Sequence, residues 1–101
     1  MRIITRKRLR EFARRHPSVA EPLHKWEQFV RQAEWQSLQD VRSVYRQADA
    51  VSVASDRIVT VFNIGGNKFR LIVAIHFNRG KVFVRHVLTH ADYDRGEWKN
   101  D

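Results

Sequence analysis

From Lys68 to Phe77 the chain alternates without a break. Phe69, Leu71, Val73, Ile75 and Phe77 fall on one side, and Lys68, Arg70, Ile72, Ala74 and His76 on the other. Successive side chains of a strand point to opposite faces, so this run predicts a strand with one apolar face. Ile58 to Ile64, rich in β-branched residues, predicts a strand before it, and Lys81 to Leu88 one after it. Gly65-Gly66-Asn67 supplies the positive-φ positions of a hairpin, and Asn78-Arg79-Gly80 makes a second tight turn. If Arg79-Gly80 alone forms that turn, Asn78 faces Lys81 and Ala74 faces Arg85. Directly opposed residues share a face. Arg70 and Arg85 then lie together opposite the Phe69-Leu71-Val73 face, and His90 falls just beyond the last strand, near Arg70. A one-residue slip would carry Arg85 to the core face, where an unpartnered guanidinium is costly. In the same register His86 has core-face parity and reads as structural.

The first half of the chain has the helical period instead. Arg2 to Ile4 predicts a short first strand, with Thr5 placed to cap the helix that follows. Leu9, Phe12 and Ala13 recur at helical spacing, while Arg8, Arg10, Arg14 and Arg15 point elsewhere. His16-Pro17 ends this helix, because a residue before proline avoids the α region. The second helix has two possible starts: the capping-box spacing Ser18 to Glu21, or Pro22 as first helical residue. Leu23, Trp26, Val30 and Ala33 form its apolar stripe. Ser37 caps a short third helix that turns Leu38, Val41 and Tyr45 inward. Ala50 to Ala54 reads as a short strand or extended edge. Helices followed by a meander of strands predict an α+β fold, with N-terminal helices packed on one face of a mainly antiparallel sheet. At 101 residues the chain is expected to form a single domain, 1–101.

Charge adds a partner to this picture. The net charge is +8, from 19 Lys+Arg against 11 Asp+Glu. So basic a small protein points to a polyanion or an acidic protein as partner, with solubility as the bland alternative. The absence of cysteine excludes a disulfide framework and a thiolate site. No apolar run is long enough to span a bilayer and the N-terminus lacks a signal h-region, so a cytoplasmic location is expected.

The closing third concentrates the candidate chemistry: Arg70, Arg85, His90, Tyr93 and Asp94. Cleaving RNA through its 2′-hydroxyl needs a proton removed, a proton delivered and fixed positive charge at phosphorus. Histidine, with an ordinary pKa near ~6.5, serves either proton step at neutral pH, and arginine holds charge without exchanging protons. Arg70 and Arg85 are thus candidate phosphate clamps and His90 the candidate acid/base. Tyr93 can stack on a base or donate a hydrogen bond, and Asp94 can orient His90 or a cation. Lys68 shares the Arg70 face. Thr89 to Asp92 also reads as an ordinary helix N-cap, with Asp92 compensating the macrodipole. His86 and His90 have a metal-ligand spacing only on a continuous helix, which Thr89 interrupts; no metal and no cofactor are expected. The arginines of the first helix suit an RNA backbone, a solvated face or an acidic partner equally.

Phe62-Asn63-Ile64-Gly65-Gly66-Asn67-Lys68-Phe69-Arg70-Leu71, Phe83-Val84-Arg85 and Thr89-His90-Ala91-Asp92-Tyr93-Asp94 resemble the HigB toxins of bacterial type II toxin–antitoxin modules. The segments Ile3 to Phe12 and Ser37 to Tyr45 are similar too, so the resemblance covers nearly the whole chain. It implies a RelE-like fold and an endoribonuclease that cuts mRNA, typically in the ribosomal A site. It also implies inhibition by a HigA-like helix-turn-helix antitoxin, with operator DNA bound only through that complex. Asn67, Lys68, Arg70, Arg85, His90, Tyr93 and Asp94 match family motif positions, with Asn67 and Lys68 joining the arginines as RNA contacts. The short tail after Asp94 leaves no expectation of a long C-terminal helix over the site. From the residues alone, a non-catalytic basic module that binds RNA or an acidic protein is the alternative, and a silent toxin kept as antitoxin partner is a third class.

Overall fold

The computed structural model describes residues 1–100. The chain runs β1 (Arg2–Ile4), α1 (Arg6–Arg15), a 3-10 turn (Pro17–Val19), α2 (Ala20–Gln32), α3 (Leu38–Arg42), β2 (Asp49–Ser52) and β3 (Ile58–Ile64). It continues through β4 (Phe69–His76), a 3-10 turn (Phe77–Arg79), β5 (Lys81–Thr89), α4 (His90–Arg95) and a final 3-10 turn (Glu97–Asn100). The strands form one sheet in the order β1-β5-β4-β3-β2. β1 lies parallel to β5 and every other pair is antiparallel. This is the α+β arrangement that the period change along the chain predicts.

Alternation in the strands becomes two cores. Leu9 and Phe12 of α1 and Leu23, Trp26 and Val30 of α2 pack on Phe62, Ile64, Leu71, Val73, Val82 and Val84. The Trp26 and Phe62 rings meet edge to face at 5.5 Å, and Tyr45 closes on Phe62 at 5.2 Å. Burial there raises the Tyr45 phenol above its ordinary value. A smaller cluster on the opposite sheet face joins Val53, Val59, Val61 and Ile72 to Trp98 of the final turn. The C-terminal segment thus covers part of the face that the helices leave open.

Several local expectations change. Thr5 does not cap α1: its φ is 67°, and its hydroxyl reaches the carbonyl of Val84 at 3.0 Å instead. α2 starts at neither Ser18 nor Pro22. The 3-10 turn at Pro17–Val19 feeds directly into Ala20, and Pro22 sits in the first turn, where its missing N–H has no intrahelical partner to lose. Ser37 does cap α3, accepting from the Asp40 N–H.

The β4–β5 turn is longer than Arg79-Gly80. His76 pairs with Lys81, and Gly80 closes the 3-10 turn at φ 64°. The register is then Ala74 to Phe83 and Val73 to Val84, followed by Ile72 to His86. Arg85 is the extra residue of a bulge, which resets the alternation beyond it. His86 therefore opposes Ile72 on the Arg70 face, not the core face that unbroken alternation assigned to it.

Candidate active site

The β3–β4 turn and α4 meet at one end of the sheet. Gly65 and Gly66 hold φ at 64° and 69°, a conformation that costs an L-residue roughly 1–2 kcal/mol. This reversal aims the Asn67 carbonyl and side chain back at β4. Arg70 is only 8% exposed, far from an open clamp. Its guanidinium donates to the Asn67 carbonyl at 3.1 Å, the Asn67 Oδ1 at 3.2 Å and the Phe69 carbonyl at 3.2 Å. These bonds satisfy a charge that burial would otherwise penalise.

Its other support is aromatic. The Arg70 guanidinium lies 5.4 Å from the Tyr93 ring centroid. Tyr93 stacks on Trp98 at 5.0 Å with the planes 15° apart, and Trp98 Nε1 donates to the Tyr93 carbonyl at 2.9 Å. The sequence gives Trp98 away only as a large apolar side chain in a polar tail. Its connection to Arg70 depends on the fold.

Thr89 caps α4 by accepting from the Asp92 N–H at 3.2 Å. The His90 N–H donates to the Lys68 carbonyl at 3.0 Å, which ties α4 to the hairpin turn. One turn on, Asp94 Oδ2 lies 2.8 Å from His90 Nδ1. Engaging Nδ1 orients the ring and leaves Nε2 for proton exchange at a side chain that is 47% exposed. Asp92 pairs with Arg95. The Lys68 side chain is exposed beside this cluster.

Asn67, Lys68, Arg70, His90, Tyr93 and Asp94 are thus brought to one end of the sheet. Arg85 stands apart from them, about 8 Å further along the strand direction by register. Its carbonyl accepts from Arg8, and it borders a hollow with Ala74, His76 and Phe83, which belong to the Arg70 face. His86 is on β5 and His90 on α4, so their spacing in sequence is not that of one helix face.

A basic chain, helices on one side of a five-stranded sheet and an Arg-His-Asp cluster at its end define the class to compare. Residues 19–96 match the model of the HigB toxin family, the RelE-like toxic component of a toxin–antitoxin system. The chain belongs to the HigB toxin family, as the extent of that match shows. It is 28% identical to the mRNA interferase HigB of Escherichia coli O6:H1 over 95 residues, covering 94% of this chain and 90% of that protein. It is 27% identical to the mRNA interferase toxin HigB of Escherichia coli K12 over 94 residues, covering 93% and 88%. The mRNA interferase HigB of Shigella flexneri matches at the same level. As the toxic component of such a system, the chain implies a cognate antitoxin. Among the described residues no helix is long and apolar enough to cross a membrane.

Proposed function

We propose that this chain is an endoribonuclease toxin that cleaves mRNA, acting on the translating ribosome in the cytoplasm. The observation that carries the reading is the His90–Asp94 pair, 2.8 Å apart, set beside an arginine anchored by Asn67. The 2′-oxygen attacks the adjacent phosphorus and the bond to the 5′-oxygen breaks, leaving a 2′,3′-cyclic phosphate and a 5′-hydroxyl. The 2′-hydroxyl gives up a proton and the departing 5′-oxygen receives one. His90 is the acid/base, with Asp94 holding its ring. Arg70 faces the charge that builds at phosphorus, and its fixed bonds spare reorganisation at that moment. Tyr93 backs Arg70, Asn67 positions it, and Lys68 and Arg85 hold flanking phosphates. Side chains supply each proton transfer and each charge, so the reaction is written without a metal or cofactor. Family membership supports a HigA-like helix-turn-helix antitoxin as the inhibitor, with operator DNA reached only through that complex.

One observation favours a second reading. Arg70 is nearly buried and bonded on three sides, as a purely structural arginine would be in a basic module that binds RNA or an acidic protein. His90→Gln separates the two. The cleavage reading expects the variant to bind RNA and lose about 10²–10⁴-fold in cleavage rate. It also expects the parent to arrest growth and leave new 5′ ends in transcripts. A harmless parent that leaves ribosome-bound mRNA intact would sink it.

A further inference from the structure

β1 ends just where β5 is about to leave its ladder. Ile4, the last residue of β1, pairs with Phe83, and the bulge follows Val84. Beyond that point no strand among the described residues covers this edge of β5. Two side chains take over from β1. The Thr5 hydroxyl donates to the Val84 carbonyl at 3.0 Å, and the Arg8 guanidinium donates to the Arg85 carbonyl. The two carbonyls that bracket the extra residue are thus both held from the start of α1. That helix is itself fixed, because Leu9 and Phe12 are buried in the core.

Thr5 adopts an unfavourable backbone to do this. Its φ of 67° and ψ of 41° lie in the left-handed region, which a β-branched residue rarely enters. Strain of this kind persists only where the surroundings over-determine it, and it gathers at functional sites. Glycine would suit the backbone better, and it cannot make the bond to Val84. What the bulge decides is the aim of everything after it. With Arg85 left out of the ladder, Thr89 opposes Phe69 and caps α4. The His90 N–H then meets the Lys68 carbonyl at 3.0 Å, and α4 brings Tyr93 to Arg70. We infer that Thr5 and Arg8 are positioning residues for the cleavage site: they pin the β5 bulge and so fix the start of α4 and the place of His90. Both act through the backbone of β5, and neither contacts the reacting atoms. The inference rests on the proposed cleavage for its consequence and on the bulge for its geometry.

The His90 amide resonance reads the positioning without a cleavage assay. An amide proton moves upfield and exchanges faster as its hydrogen bond lengthens. Thr5→Gly removes the hydroxyl and relieves the left-handed backbone. Arg8→Met removes the other donor from an exposed side chain, so the core is left intact. In each variant the His90 amide should move upfield and exchange faster. The Tyr45 N–H, bonded to the Val41 carbonyl at 2.8 Å and distant from the bulge, should not change. Cleavage of mRNA should fall by up to about 10²-fold, the cost of displacing a catalytic group by about 1 Å. Thr5→Ser and Arg8→Lys keep a donor and should restore both the resonance and the cleavage. Lys7→Met is the control, an exposed cation of the same helix paired with Glu11. The inference is overturned if the His90 amide is unchanged in Thr5→Gly and Arg8→Met, or if the conservative replacements restore nothing. It is also overturned if the Tyr45 amide loosens equally, which would mark a general loss of stability. Full cleavage by a variant whose His90 amide has shifted would overturn it too. A parent that cuts no mRNA, with variants that shift the His90 amide as expected, would remove the ribonuclease reading and leave Thr5 and Arg8 as the residues that place α4.

Discussion

Trp98→Ala tests the connection between the C-terminal turn and Arg70. Trp98 is 4% exposed and packs with Val53, Val59, Val61 and Ile72. Truncating a buried aromatic residue costs about 3–5 kcal/mol when the cavity persists. Here the segment has a cheaper escape. Beyond Trp98 it is held to the sheet side by the Ala54 N–H donating to the Lys99 carbonyl at 2.7 Å, so it can lift away instead of preserving a hole. The expected loss is therefore near the lower bound, about 3 kcal/mol. At ~4–8 °C per kcal/mol for a chain of this size, the melting temperature falls by about 12–24 °C. Trp98→Phe keeps a ring against Tyr93 and loses the indole hydrogen bond, about 1 kcal/mol or ~4–8 °C. Thermal unfolding followed by circular dichroism measures both. Cleavage of mRNA, assayed below both transitions, should fall in the Ala variant, where Tyr93 no longer has a ring behind it, and recover in the Phe variant. An unchanged melting temperature for Trp98→Ala would refute the packing account. A destabilised variant with full cleavage would refute the link to Arg70.

Two further substitutions probe the elements that position the cluster. Gly65→Ala should cost about 1–2 kcal/mol in denaturant titration, because φ is +64° while the new Cβ would meet Phe69 at an ordinary 3.4 Å. Thr89→Ala removes the α4 cap and should cost about 1 kcal/mol, with Thr89→Ser restoring most of it; equal stability of all three proteins would show that the cap contributes nothing.

The strands were legible because their faces differ so strongly in polarity: the alternation from Phe69 to Ile75 fixes which side meets α1 and α2. The caps at Ser37 and Thr89 were legible because the donor lies three residues on in sequence. The bulge at Arg85 was not. The extra residue is hidden in the apolar-polar pattern because Leu88 is as apolar as Val87, so alternation through Val82, Val84 and Leu88 reads as unbroken. For that reason sequence parity sent His86 to the wrong face. The Thr5 conformation was hidden for a different cause, since its partner at Val84 is distant in sequence. Of the cluster, Asp94 was legible only as a group able to orient His90 or a cation, and it is the turn of α4 that brings it to His90. The near-burial of Arg70 depends on Asn67, Tyr93 and Trp98 arriving from separate elements, and no local pattern encodes that meeting.

The parallel pairing of β1 with β5 has a consequence for when the sheet can close. The Thr5 hydroxyl and the Val84 carbonyl are 79 residues apart, so the sheet closes over most of the chain's length and through one of its slowest kinds of contact. α4 and Trp98 come later still. During synthesis Arg70 leaves the ribosome ahead of the histidine, the carboxylate and the indole that gather near it. A nascent chain halted before Trp98 carries the strands without the stack behind Arg70. The side chains gathered around Arg70 thus assemble in the reverse of the order that a local hairpin would give: the centre is made first and its surroundings follow.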